Sequence, residues 1–212
     1  MLEWPQMRMR TSLFLVSGAL ALALTSCSES PAPTAKKEAE KPPEPVTGLS
    51  GLFKMYQVAR TMGTDVKILK MSSMAISEVP NVPRGKAAAW EATFVSPEKS
   101  LAKSFTYSII ELAGQNLHKG VFAQGDEGYN GRGNPIAIAD VKIDTDAAYE
   151  TALKQAGDYD AKNPGKPITI LLEKVPKHSN PVWRIVWGES VGTSNFSIYV
   201  DAFTGEFKEK LH

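Results

Sequence analysis

A run of helix spacing followed by strand alternation passes through this chain twice, and any fold it adopts must accommodate both passes. The first opens on "LSGLFKMYQVARTMG", where Leu52, Met55, Val58, Ala59 and Met62 recur at helical spacing and Gly63 stands where a helix-ending glycine belongs. The second opens on "DTDAAYETALKQAG", with Asp144 and Asp146 at the helix start, Ala148, Tyr149, Leu153 and Ala156 along one side, and Gly157 at the stop. Strand-like runs follow, "VKILKMSSMAI" and "ITILLEKV". Each pass then reaches an aromatic alternation. Trp90, Ala92 and Phe94 alternate with Glu91 and Thr93; Trp183, Ile185 and Trp187 alternate with Arg184 and Val186. Period two with large apolar residues on one phase means a strand laid over a core, which assigns Trp90, Trp183 and Trp187 to packing. "SFTYSII" and "FSIYV" come next, with Tyr107 and Tyr199 at corresponding places, and a turn and short strand close each pass, "ELAGQNL" or "DAFTGEF". The predicted class is α+β: two tandem repeats, each one helix packed on an antiparallel sheet of about four strands.

The N-terminus stands apart from this pattern. A short basic stretch, Met7 to Arg10, precedes an apolar run from Thr11 to Leu24 that is shorter than the about 20 residues a membrane span needs. The run ends in Leu24, Thr25, Ser26 and Cys27. Leucine, two small residues and cysteine resemble the lipobox of a bacterial lipoprotein signal peptide, which implies cleavage before Cys27 and a lipid on its thiol; the alternative is an ordinary signal peptide or an uncleaved anchor. Met7 competes with Met1 as the start, because Glu3 puts an acid where signal peptides carry positive charge.

Ser28 to Thr47 contains five prolines, mixed lysine and glutamate, and one apolar residue larger than alanine, Val46. Such a stretch buries too little to order itself, and at about 3.1 Å per residue it reaches roughly 60 Å. The predicted organisation is a signal peptide over 1–27, a tether over 28–47, a first repeat over 48–122, a glycine-rich connector over 123–135 and a second repeat over 136–212. With Cys27 lipidated, no cysteine remains in the folded part. Disulfide and thiolate chemistry are then excluded, and stability must come from a core. Removing residues 1–27 also takes away Arg8, Arg10 and Glu3, leaving zero net charge. A nucleic-acid binder carries a basic excess, so nucleic acid is not an expected partner.

"GESVG", Gly188 to Gly192, matches the pattern of a serine-hydrolase nucleophile elbow. An elbow needs a strand turning sharply into a helix, whereas "TSNFSIYVDA" follows with strand alternation, so the stretch reads as a β-hairpin loop. Asp201 and His212 follow Ser190 in the required order, but one lies a strand away and the other ends the chain. "GDEGYNGRGNP", Gly125 to Pro135, lacks the ending of a phosphate-binding loop and the spacing of an EF-hand. His118, His178 and His212 show no ligand spacing, so neither a metal nor a cofactor is expected.

"YVDAFTGEFKEKL", Tyr199 to Leu211, is similar to the ending of PepSY-type domains, in which a strand closing on Val-Asp-Ala precedes a Thr-Gly turn and a last strand. Asp201 can accept backbone hydrogen bonds across that turn and Gly205 can take positive φ. The likeness covers residues 136–212 and reaches 49–122 only through the repeat, where Ile110 to Gly114 replaces the signature. It implies a cystatin-like α+β module without catalytic residues, exported or membrane-associated. Secreted β-lactamase inhibitor proteins are similar in plan, with two helix-on-sheet units gripping an enzyme. The function expected from these features is a lipid-anchored, non-catalytic envelope module that faces the periplasm or exterior, binds a protein or peptide and possesses an inhibitory or modulating role. Its candidate contacts are Asp126, Glu127, Tyr129, Arg132, Arg184 and Glu189, with Glu91 beside them on the sheet. The alternatives are a small-molecule or lipid binder with a cavity lined by Met55, Met62, Met71 and Met74, and a hydrolase acting through Ser190.

Overall fold

The computed structural model describes residues 44–212. The signal segment, Cys27 and residues 28–43 of the expected tether lie outside the described residues.

The described chain opens with a two-residue strand, β1 (Val46–Thr47), and passes directly into helix α1 (Gly48–Ala59). Gly51, Leu52, Met55 and Ala59 form the buried face of α1, and a 3-10 turn over Arg60–Met62 extends it far enough to bury Met62. Strands β2 (Lys67–Met74), β3 (Lys86–Ala87), β4 (Ala89–Ser96), β5 (Leu101–Ser108) and β6 (Gly120–Gly128) follow. The second half begins with α2 (Thr145–Ala156) and the short α3 (Tyr159–Lys162). It continues with β7 (Ile168–Glu173), β8 (Val182–Trp187), β9 (Ser197–Asp201) and β10 (Phe207–Leu211). Asp144 caps α2, accepting the Thr145 N–H, as the sequence pattern predicts.

Eight of the strands join in one antiparallel sheet with the order β10-β9-β8-β7-β2-β4-β5-β6. The α+β class is as expected, but the strands do not form two separate sheets. The four that follow α1 and the four that follow α2 meet edge to edge at β2 and β7, which share only two register positions, Met71 with Leu172 and Ser72 with Leu171. Both helices pack on the same side. Leu52 and Met55 of α1, Ala148 and Tyr149 of α2, and Trp90, Phe94, Phe105, Trp183, Ile185 and Trp187 of the sheet belong to one continuous apolar cluster. All three strand tryptophans are fully buried. Each removes on the order of 200 Å² from water, roughly 5 kcal/mol before the entropy of ordering is subtracted. Their indole N–H groups are satisfied: Trp90 donates to the Val46 carbonyl at 3.1 Å, Trp183 to the Ile143 carbonyl at 2.7 Å, and Trp187 to Asp160 Oδ1 at 2.7 Å.

Two boundaries differ from expectation. Val46 and Thr47, assigned to the tether, pair with Ala87 and Lys86 in β3, so the fold captures the end of that segment. The last strand of the first half is β6 rather than "ELAGQNL". Residues 111–117 form a tight turn with a 3-10 segment at Ala113–Gln115, left-handed Asn116 (φ 52°) and a Leu112–Leu117 bridge. The expected connector 123–135 therefore starts inside a strand. Between Ala123 and Asp126 β6 carries one residue more than β5 does between Phe105 and Lys103, a β-bulge beside Gly125. The turn after β9 is as predicted: Asp201 Oδ1 accepts the N–H groups of Phe203 and Thr204, both at 2.9 Å, and Gly205 has φ +80°.

Candidate functional site

Strand alternation sends every second residue away from the helices, and register decides which of these meet. On β4 the outward phase is Glu91 and Thr93; on β7 it is Leu171 and Glu173; on β8, Arg184; on β9, Ser197 and Tyr199; on β10, Glu209. Arg184 stands directly across from Tyr199, and Tyr199 across from Glu209. Among the described residues no helix packs on this face. At one end Ala89 of this phase joins a small apolar cluster with Ile76, Ala88, Ile109 and Leu117, and towards the other end Ser197 and Tyr199 are themselves buried, 3% and 7% exposed.

The polar residues of this face are tied to one another. The Tyr199 hydroxyl donates to Glu173 Oε2 at 3.1 Å, and Arg184 Nη1 lies 3.9 Å from Glu173 Oε1. Arg184 Nε donates to Ser197 Oγ at 3.1 Å, and its guanidinium sits 5.4 Å from the Tyr199 ring centre. Glu209 accepts from Lys177 Nζ at 2.6 Å, and His178 packs edge-on against Tyr199 with ring centres 5.8 Å apart. Burial raises the Tyr199 phenol above its ordinary pKa, and the neighbouring Glu173 charge adds to the rise while Arg184 opposes it. The Lys177 hydrogen bond holds the Glu209 carboxyl below the ordinary range. The result is a positioned set of donors and acceptors on a rigid sheet, with planar groups at Arg184 and Tyr199 that suit contact with another polypeptide.

Beside this cluster a cleft of about 360 Å³ opens, lined by Lys70, Arg132, Asn134, Glu173 and Lys174 among others. Arg132 and Glu173 both line this cleft, and Glu173 is also the partner of Arg184. Glu91 lies on the same face, on β4. The other predicted contacts lie apart. Asp126 and Glu127 sit on the exposed edge strand β6, Asp126 paired with Lys103, and Tyr129 follows with its N–H bonded to the Ser100 carbonyl at 2.8 Å. Glu189 is exposed in the loop between β8 and β9. Sequence reading missed Glu173, Lys70, Lys174 and Glu209. The signal for Glu173 was a charged residue ending the apolar run "ITILLE" on the outward phase.

Ser190 lies in that same β8–β9 loop, and its Oγ is 2.9 Å from Thr193 Oγ1. Asp201 is fully buried in its turn, and the His212 ring lies 5.5 Å from Phe196. The methionine cavity does not form: Met55, Met62 and Met71 are packed inside the main core, and Met74 alone reaches a cleft. Among the described residues no cluster of three histidine, cysteine or acidic side chains is placed to hold a metal, and no helix is long and apolar enough to cross a membrane.

No protein-family model matches this chain, and neither does any curated protein. Among solved structures it is similar to the crystal structure of a protein from Clostridium difficile 630 described as a lipoprotein. That match has a TM-score of 0.50 and 12% identity, and covers 81% of this chain and 95% of the other. At that identity the likeness concerns the fold: few helices packed on one large antiparallel sheet.

Proposed function

We propose that this chain is a lipid-anchored, non-catalytic module of the bacterial cell envelope that holds a protein or peptide partner on the helix-free face of its sheet. The observation that carries the reading is the Arg184–Glu173–Tyr199–Ser197 cluster, whose side chains are fixed on a face that no helix among the described residues covers. Fixed polar and aromatic groups lose little freedom on binding, which supports recognition. The lipobox-like Leu24–Cys27 motif supports the anchor, and the structural neighbour's description as a lipoprotein agrees with it.

The reading includes two PepSY-like copies fused along β2 and β7. Its support is the shared order of a helix followed by four sheet strands, and one repeated contact. Trp90 donates to the carbonyl two residues before α1, at Val46, and Trp183 to the carbonyl two residues before α2, at Ile143. Such a plan, resembling that of two-unit inhibitor proteins, makes an envelope peptidase or similar enzyme the favoured class of partner.

The test is crosslinked capture of the full-length lipidated protein from its own envelope. It compares wild type, Arg184→Glu, and Lys99→Glu as a control on the distant β4–β5 turn. One abundant partner retained by wild type and the control and lost by Arg184→Glu is expected. A partner retained by all three, or none in any, overturns the reading.

A further inference from the structure

The seam between the two halves of the sheet is short, and its failure creates a site. Pairing of β2 with β7 stops at Ser72 and Leu171. One position further on, Ser73 Oγ accepts the Ile170 N–H at 2.9 Å, so a side chain takes the place of the next ladder bond and the strands part. A cleft of about 490 Å³ opens there, between the segment that follows β2 and the turn that leads into β7. That volume falls within the roughly 300–1,000 Å³ of small-molecule sites.

Its lining has two characters. Met74, Ile76 and Val82 give an apolar wall, while Arg84, Lys86 and Lys166 supply cations, and no aspartate or glutamate lines it. Arg84 is partly compensated, with Asp160 Oδ1 at 3.9 Å from its Nη2. Lys166 Nζ donates to the Tyr159 hydroxyl at 2.8 Å, and Lys86 has no acidic partner within ion-pair distance among the described residues. Both lysines line the cleft, and neither has a described acid within ion-pair distance. The wall that carries Arg84 and Lys86 is fixed. Gly85 between them has φ +79°, a Cβ on it would lie 2.5 Å from the Asp146 Cα, and its carbonyl accepts from Thr145 Oγ1 at 2.5 Å. Lys86 also pairs with Thr47 in the β1–β3 ladder. The site is formed before any ligand arrives, which lowers the entropic cost of binding.

We propose that this cleft binds a single-chain amphiphile with an anionic head, its tail against Met74, Ile76 and Val82 and its carboxylate or phosphate between Lys86 and Lys166. A neutral apolar molecule leaves the two charges uncompensated, and a small inorganic anion leaves the apolar wall wet. The amphiphile satisfies both. The cleft shares no lining residue with the Arg184–Glu173–Tyr199–Ser197 cluster, and its test does not depend on that reading.

The experiment is calorimetric titration of the purified full-length chain with decanoate and decyl phosphate as monomers, against decyltrimethylammonium and decanol. Saturable one-to-one binding of both anionic probes, with the cationic probe at least about tenfold weaker, is expected. Lys86→Ala and Lys166→Ala each weaken the anions by about tenfold, whereas Lys166→Arg retains binding. Ala75→Trp, at an exposed position on the cleft, abolishes it without touching the core. Circular dichroism of each variant verifies folding. Equal binding of anionic and cationic probes, indifference to Ala75→Trp, or affinity only for anionic phospholipid vesicles overturns the proposal.

Discussion

The Leu49 N–H, in the first turn of α1, donates to Asp144 Oδ1 at 2.9 Å, although 95 residues separate the two. The same carboxylate oxygen caps α2 through the Thr145 N–H at 2.7 Å, so one acid serves the amino ends of both helices. Thr145, fully buried, completes the joint. Its hydroxyl accepts the Gly48 N–H at 2.7 Å and donates to the Gly85 carbonyl. Thr145→Val keeps the shape and leaves a buried donor and a buried acceptor unpaired, which should cost about 3 kcal/mol. Thr145→Ser keeps the hydroxyl and loses a methyl, about 1 kcal/mol. Urea unfolding of both variants checks the order. Equal losses would place the contribution in packing instead of the hydrogen bonds.

Gly51 offers a test in which two effects oppose each other. In an exposed helix glycine to alanine stabilises by about 1 kcal/mol. Here an added Cβ would stand 2.7 Å from Cδ1 of the fully buried Trp90 ring, closer than atoms approach without something moving. Overpacking a well-filled core costs about 1–3 kcal/mol, so Gly51→Ala is expected to destabilise despite its helix propensity. A higher midpoint in thermal unfolding would mean that α1 shifts freely over β4.

The parts of the fold legible in the sequence are those where burial dictates residue type. Trp90, Ala92 and Phe94 alternate because one phase of β4 must be apolar, and α1 and α2 show their buried stripes for the same reason. Strand β6 was invisible because nothing buries it fully. Gly120, Gly125, Asp126, Glu127 and Gly128 have turn composition, and backbone pairing to β5 overrides it. The site divides in the same way. Arg184 stands out as a charge inside an apolar alternation, whereas its meeting with Glu173 and Tyr199 is set by the β7–β8–β9 register, and the cleft beside Lys86 by the splay of β2 from β7. Both are non-local, and no local pattern encodes them.

Asp201 predicts an acid dependence of stability. Burial would raise its pKa, but the Thr204 and Phe203 N–H groups, Asn180 and Lys208 together hold it below the ordinary value. A carboxyl depressed in the folded state contributes stability that is complete above its unfolded pKa, about 3.9, and is lost as pH falls toward the folded value. Asp201→Asn turns an N–H donor against Asn180 Nδ2 or Lys208 Nζ, both donors, and should cost about 2 kcal/mol at neutral pH. Below about pH 4 the gap between wild type and variant should narrow. Denaturant unfolding at neutral and acid pH measures it, and a constant gap would refute the linkage.

Tyr199 reports directly on the candidate binding face, because two neighbours push its phenol in opposite directions. Burial raises its pKa first, the Glu173 carboxylate adds to the rise by disfavouring a second negative charge, and Arg184 draws it back. Glu173→Gln removes the repulsion and should lower the Tyr199 pKa; Arg184→Gln removes the attraction and should raise it. Ultraviolet difference titration against Tyr199→Phe isolates this phenol from the other tyrosines. Opposite shifts in the two variants require all three side chains to stay together in solution as they stand on the sheet. If neither substitution moves the phenol, Arg184 and Glu173 are separate solvated charges. A partner would then have to order them itself, at roughly 0.5–1.5 kcal/mol for each side chain immobilised.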